Sequence, residues 1–120
     1  MDRMTRYRKL IEDHITRIVE LVNRQYKTDE GDGIAHCVFD EERDHYLLVK
    51  SGWTKGRRSK GTTLFVRLRD GKIHVEEDWT EDGIANALIA TGVPDEDIVL
   101  AFQSPWLREQ AAHAVTDAPR

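Results

Sequence analysis

Asp70-Gly71 stands between two runs of strand-like residues, and this dipeptide constrains the chain more than any other feature. Before it, Thr62, Leu64, Val66 and Leu68 alternate with Thr63, Phe65, Arg67 and Arg69; after it come Ile73 and Val75. Asp-Gly suits a type I′ turn, whose twist matches the strands it joins. A two-residue turn fixes the register. Arg69 faces Lys72, Leu68 faces Ile73, Arg67 faces His74 and Val66 faces Val75. The apolar residues then stay together on one face, so turn chemistry and hydrophobic pattern agree.

The chain ahead of this hairpin changes period. Met4, Tyr7, Ile11, Ile15, Ile18 and Val22 recur at three- and four-residue steps, which predicts an amphipathic helix over residues 3–26. Leu10, Val19 and Leu21 widen its apolar stripe, as for a helix lying on a sheet. Thr28 to Gly33 is a polar linker. Ile34 to Asp40 reads as a strand, Glu41-Glu42-Arg43 as a turn and His45 to Trp53 as a second strand. In the latter, His45, Leu47, Val49, Ser51 and Trp53 share one side. Thr54 to Lys60 forms a basic hairpin tip around Gly56.

Beyond the hairpin, Thr80 is the expected cap of a helix starting at Glu81, with Glu81 and Asp82 favoured in its first turn by the helix dipole. Ile84, Ala85, Leu88 and Ile89 supply its buried stripe and Gly92 its C-terminal cap. Ile98 to Phe102 reads as a buried closing strand. From Gln103 the pattern weakens. Ser104-Pro105-Trp106 reads as a turn with an aromatic anchor, and residues 103–120 as a frayed or disordered tail. The expected fold is α+β, as one domain over residues 1–120. A long N-terminal helix packs on an antiparallel sheet of about four strands, with a second short helix and a closing strand.

Charge is divided along the chain. Residues 1–72 carry 16 Lys/Arg against 12 Asp/Glu, and residues 73–120 carry 2 against 10. A bipolar surface of this kind favours a charged protein partner or a second copy, and the acidic overall balance argues against non-specific DNA binding by the whole molecule. Cys37 is the only cysteine, so neither an internal disulfide nor a multi-cysteine metal site can form. No secretory signal and no apolar run of about 20 residues is seen, so the expected location is cytoplasmic, away from membranes.

Candidate chemistry is sparse. The acids from Glu76 to Asp82 can be drawn as a metal site for a hydrolase using Glu77, Asp78 and Glu81, but they are better read as a strand end followed by helix N-terminal acids. Asp44-His45 and His36-Cys37 are adjacent pairs on strands, where neighbours point to opposite faces and cannot pair directly. No nucleophile motif or phosphate-cradling glycine spacing occurs. No cofactor and no catalytic residue is expected. The basic tip, Lys55, Arg57, Arg58 and Lys60, is the leading surface candidate, able to meet a phosphate backbone or an acidic partner, with Arg67 and Arg69 extending it along the strand. The alternative is that these charges guard a hairpin edge against aggregation. Phe65, Trp53 and Trp79 make an aromatic interface if they share a face; the alternative is that the N-terminal and second helices cover them.

Several blocks together carry a family resemblance. They are Arg43-Asp44-His45-Tyr46-Leu47-Leu48-Val49 with Gly52-Trp53, Arg57-Arg58 with Gly61, and Asp70-Gly71-Lys72-Ile73. Asp78-Trp79-Thr80-Glu81-Asp82-Gly83-Ile84-Ala85, Gly92-Val93-Pro94 and Glu96-Asp97-Ile98-Val99-Leu100-Ala101-Phe102 complete them. In that order and spacing they resemble the XisI-like family, the fdxN element excision controlling factors, from about Tyr7 to Phe102. The resemblance implies a non-enzymatic regulator of programmed DNA excision, acting with an XisH-like companion while a site-specific recombinase cuts. The chain departs from the family pattern at Gln103-Ser104-Pro105-Trp106-Leu107-Arg108, and Phe65 and His74 stand where a His and a Trp are common.

Three functional readings follow. A regulatory module would bind a protein partner, using some of Lys55, Arg57, Arg58, Lys60, Phe65, Arg67, Arg69, Trp79, Trp106 and Arg108. A DNA-binding accessory protein would use the basic hairpin. A metal-dependent hydrolase would use the acids near Asp78. A homodimer is compatible with all three.

Overall fold

The computed structural model describes residues 2–109. Helix α1 (Arg3–Gln25) starts where Asp2 accepts hydrogen bonds from the Thr5 N–H and hydroxyl at 2.9 and 3.0 Å. Such a cap satisfies N–H groups that the first turn leaves unpaired. Strands β1 (Ala35–Asp40), β2 (His45–Thr54), β3 (Arg57–Arg69) and β4 (Lys72–Asp78) follow as an antiparallel meander. Helix α2 (Ile84–Ala90) and a 3₁₀ turn (Asp95–Asp97) then lead to β5 (Ile98–Leu100). The strand order is β1-β2-β3-β4-β5.

The β3–β4 register is the one the Asp70-Gly71 turn predicts, from Arg69 opposite Lys72 to Val66 opposite Val75. Asp70 and Gly71 both have positive φ, 53° and 77°, as a type I′ turn requires. Three details differ from expectation. β3 begins at Arg57, because the basic residues of the hairpin tip pair with β2 instead of looping out. β5 runs parallel to β4, so the sheet is mixed; α2 carries the chain back across the sheet before β5 begins. Finally, α2 begins at Ile84, three residues later than expected, and Thr80 does not cap it.

Cross-strand partners share a face. Tyr7, Ile11 and Ile15 of α1 pack over Tyr46, Leu48, Leu64, Val66, Ile73 and Val75, and Ile84 and Leu88 of α2 join the same core. Both helices therefore cover one side of the sheet. Leu21 departs from the predicted helix stripe and is 52% exposed. Two polar links tie α1 to the sheet. Asn23 donates to the Ala35 carbonyl and accepts from its N–H at 2.9 and 2.8 Å. Arg8 bonds Asp44 and the Tyr46 hydroxyl. Tyr7 donates to buried Asp97 in a short hydrogen bond, holding the α2–β5 connection against α1.

At the C-terminal end of α2, the Val93 N–H reaches Leu88 O and the Gly92 N–H reaches Ile89 O, with Gly92 at φ 100°. That is the expected glycine cap. Ser104 starts a further helical turn, accepting from the Leu107 N–H through its hydroxyl and from the Arg108 N–H through its carbonyl. The part of the expected tail from 110 to 120 lies outside the described residues. Among the described residues, no helix is long and apolar enough to cross a membrane.

Candidate protein-interaction site

The β2–β3 hairpin continues past its neighbours as a two-stranded ribbon, since β4 pairs with β3 only as far as Leu64. Its tip is Lys55-Gly56, both at positive φ, and the Asp29 carboxylate accepts from both N–H groups at 2.7 and 3.1 Å. Lys55, Arg57, Arg58 and Lys60 are exposed there. Among the described residues none of the four forms a salt bridge with a carboxylate; Arg58 lies 5.9 Å from the Trp53 ring centroid and donates to the Ser51 hydroxyl. These four cations form one cluster, as the spacing predicts.

Arg67 and Arg69 do not extend it as free charges. Arg67 is paired with Glu76 at 3.0 Å and Arg69 with Asp70 at 3.5 Å. Both lie on the sheet face away from the helices, with Phe65, whose ring stands edge-on to His45 at 5.6 Å. Along that face Val38, Leu47 and Phe65 form one cross-strand row. Asp40, His45, Arg67 and His74 form the next.

Trp53 and Trp79 do not share a face, because Trp53 pairs with Arg58 on the side away from the helices. Trp79 follows β4 and turns to the helix side, where it lines a hollow of about 710 Å³ with Ile18, Leu21 and Leu48. Neither helix covers its indole, which is 78% exposed yet held in place. Its N–H extends the β3 ladder to Thr63 O at 2.9 Å, and its ring nitrogen donates to Glu77 at 3.1 Å. Trp106, 64% exposed, and half-buried Arg108 sit in the turn beyond β5. The predicted site residues thus fall into four places: ribbon, outer face, groove wall and C-terminal turn.

The acids near Asp78 are occupied structurally. Asp78 accepts from the Thr80 N–H at 2.8 Å, from the Thr80 hydroxyl in a short bond and from the Ile84 N–H at 2.7 Å. It supplies from a distance the cap expected of Thr80. The chain reaches α2 through Gly83 at φ 78°, a conformation that favours glycine, so the helix cannot extend back to Glu81. Glu81 and Asp82 are exposed, and among the described residues no group of three His, Cys, Asp or Glu is arranged to hold a metal.

Sequence reasoning missed the half-buried Arg8–Asp44–Tyr46 network. Burial raises the Tyr46 hydroxyl pKa, and its bond to Asp44 raises it further. The one local signal is Asp44 itself, which closes the β1–β2 turn at φ 56°, a region asparagine and aspartate tolerate better than most residues.

A five-stranded mixed sheet with both helices on one face, carrying an ordered but uncovered Trp, defines a class of small α+β protein. The chain belongs to the XisI family, whose model, described as XisI protein, matches residues 1–115. It is similar in structure to the fdxN element excision controlling factor XisI from Anabaena variabilis ATCC 29413, with 32% identity and a TM-score of 0.73, over 89% of this chain and 99% of that one. It also resembles a XisI-like protein from the same organism, with 27% identity and a TM-score of 0.77, over 88% of this chain and 93% of that one. No match is found among curated proteins.

Proposed function

We propose that this chain is a cytoplasmic regulatory factor in the excision of a DNA element, and that it works without catalysing a reaction, by binding a protein partner. The family and the relative named as an excision controlling factor support the regulatory role. The XisH-like companion is the partner this reading names. The observation that carries it is Trp79, a large aromatic side chain held by two hydrogen bonds and left 78% exposed. An ordered, uncovered Trp supplies contact area at little entropic cost, and Trp is enriched among residues that dominate binding.

The test is co-elution with the companion from the same genome, followed by light scattering, which also counts copies in the protein alone. A discrete complex that weakens on Trp79→Ala supports the reading; independent elution at about ten micromolar places any association weaker than about 7 kcal/mol and counts against it.

A second reading rests on the four cations of the ribbon, which form no salt bridge among the described residues: direct contact with a DNA backbone. It expects affinity for duplex DNA that falls steeply with salt and is lost in an Arg57→Glu, Arg58→Glu variant. Binding that ignores both changes would refute it.

A further inference from the structure

The helix-covered face of the sheet is incomplete at one corner. Alternation along β2 puts Tyr46, Leu48 and Lys50 on the helix side; the first two are buried and Lys50 is exposed. Two hollows meet above it. One, of about 710 Å³, lies between α1 and the segment from Trp79 to Ala87. The other, of about 770 Å³, lies between the end of α1 and the β2–β3 ribbon. Val22 and Lys50 line both, so the hollows form one continuous groove. The half between α1 and α2 has an apolar wall of Ile18, Leu21, Leu48 and Trp79, with Leu21 52% and Trp79 78% exposed.

The charges of the groove are sorted by sign. Lys27 and Lys55 line the ribbon half, Lys50 the junction, and Glu81 and Asp82 the other half. Among the described residues none of these five forms a salt bridge. Asp29, the acid in the basic half, is already engaged by the Lys55 and Gly56 N–H groups. The outer sheet face differs, for there Phe65 packs on His45 and Arg67 is neutralised by Glu76.

We propose that this groove seats an amphipathic segment of the protein partner. Its apolar stripe lies over Leu21 and Trp79, an acidic end meets Lys27, Lys50 and Lys55, and a basic end meets Glu81 and Asp82. Docking an apolar stripe into such a groove is a recurrent recognition mode. The two charged ends fix its direction, since the reverse orientation sets like charges against each other. A nucleic acid does not fit, because a uniformly negative backbone would meet Glu81 and Asp82 along half the groove.

The inference rests on the partner-binding reading, and calorimetric titration of the intact companion protein tests both. Four variants are compared with the wild type: Leu21→Asp, Lys27→Glu with Lys50→Glu, Glu81→Lys with Asp82→Lys, and Val38→Asp on the opposite face. Every substituted side chain is exposed, and circular dichroism melts verify folding. Expected are losses of about thirtyfold for Leu21→Asp and about tenfold for each charge reversal, the latter fading as salt rises. Val38→Asp binds as wild type. A complex formed with unchanged affinity by all three groove variants overturns the groove while the partnership stands. No complex with the wild-type protein overturns both.

Discussion

Replacing Asp78 with Ala measures whether the acid-rich turn is architecture. The substitution removes three accepted hydrogen bonds at once, those of the Thr80 N–H, the Thr80 hydroxyl and the Ile84 N–H. Ile84 is fully buried, so its N–H has little access to a replacement water. Loss of a helix cap costs about 0.5–2 kcal/mol, and loss of a bond to a charged group about 1.5–3. The bonds share one carboxylate and are not additive, so about 2–3 kcal/mol is expected in total. For a chain of this length that lowers the melting midpoint by roughly 10 °C. Urea melts followed by circular dichroism read the free energy, and hydrogen exchange at Ile84 to Leu88 localises it to α2. Asp78→Asn keeps one acceptor and should lose about half as much. A loss below about 0.5 kcal/mol would refute the capping argument. A wild-type midpoint that rises with Mg²⁺, and no longer does so in Asp78→Asn, would restore the metal-site reading instead.

Three further outcomes are expected. Glu12 has a buried, unpartnered Oε2, and burial first, then the charge of Glu41, raises its carboxyl pKa above the usual range. Its ionised form therefore costs stability at neutral pH, a cost relieved as pH falls through the folded-state value toward 4.5. Glu12→Gln should raise urea-melt stability at neutral pH, and a decrease would contradict this. Tyr7 and Tyr46 have hydroxyl pKa values raised above 10.0 by burial, with Asp97 and Asp44 adding to it. The unfolded chain loses these protons first, so stability should fall as pH rises through about 10, and a flat urea midpoint from about pH 9 to 11 would count against the linkage. A Cβ at Gly52 would lie 2.4 Å from the Thr28 methyl carbon, so Gly52→Ala should cost about 1–3 kcal/mol, partly recovered by adding Thr28→Ser in the same melts.

What was legible in the sequence followed from local rules with one answer. Asp70-Gly71 admits a two-residue turn, which fixes the β3–β4 pairing from Arg69 to Val66. Gly92 closes α2 because its positive φ suits glycine. What stayed hidden depended on groups distant in the chain. Thr80 is a good cap residue by type, but Asp78 captures both its N–H and its hydroxyl and also reaches the Ile84 N–H six residues on. β3 reaches back to Arg57 although Arg57, Arg58 and Lys60 break any apolar alternation, because Asp29 clamps the ribbon tip. Of the candidate site residues, the four cations of the tip were visible as a cluster. The neutralisation of Arg67 by Glu76 was not, since the pairing needs the neighbouring strand.

Three residues at odds with their local pattern lie together. Leu21 belongs to the apolar helix stripe by periodicity, and Lys50 belongs to the buried row of β2 by alternation. Trp79 stands exposed where one of the two sequence readings would bury it beneath the helices. All three line the groove between α1, the ribbon and the turn that Asp78 and Gly83 set. An apolar residue left in water and a lysine in a core register are local inconsistencies that an isolated fold gains nothing from keeping. Such departures are expected at functional sites, where a second surface completes what the chain leaves open. If the groove were only a packing defect, filling it should be harmless. Ala87→Leu, on its α2 wall, would then add stability and leave partner affinity unchanged. The docking argument requires the opposite result for affinity: a larger side chain there blocks the segment over Leu21 and Trp79, and binding falls even as the fold gains.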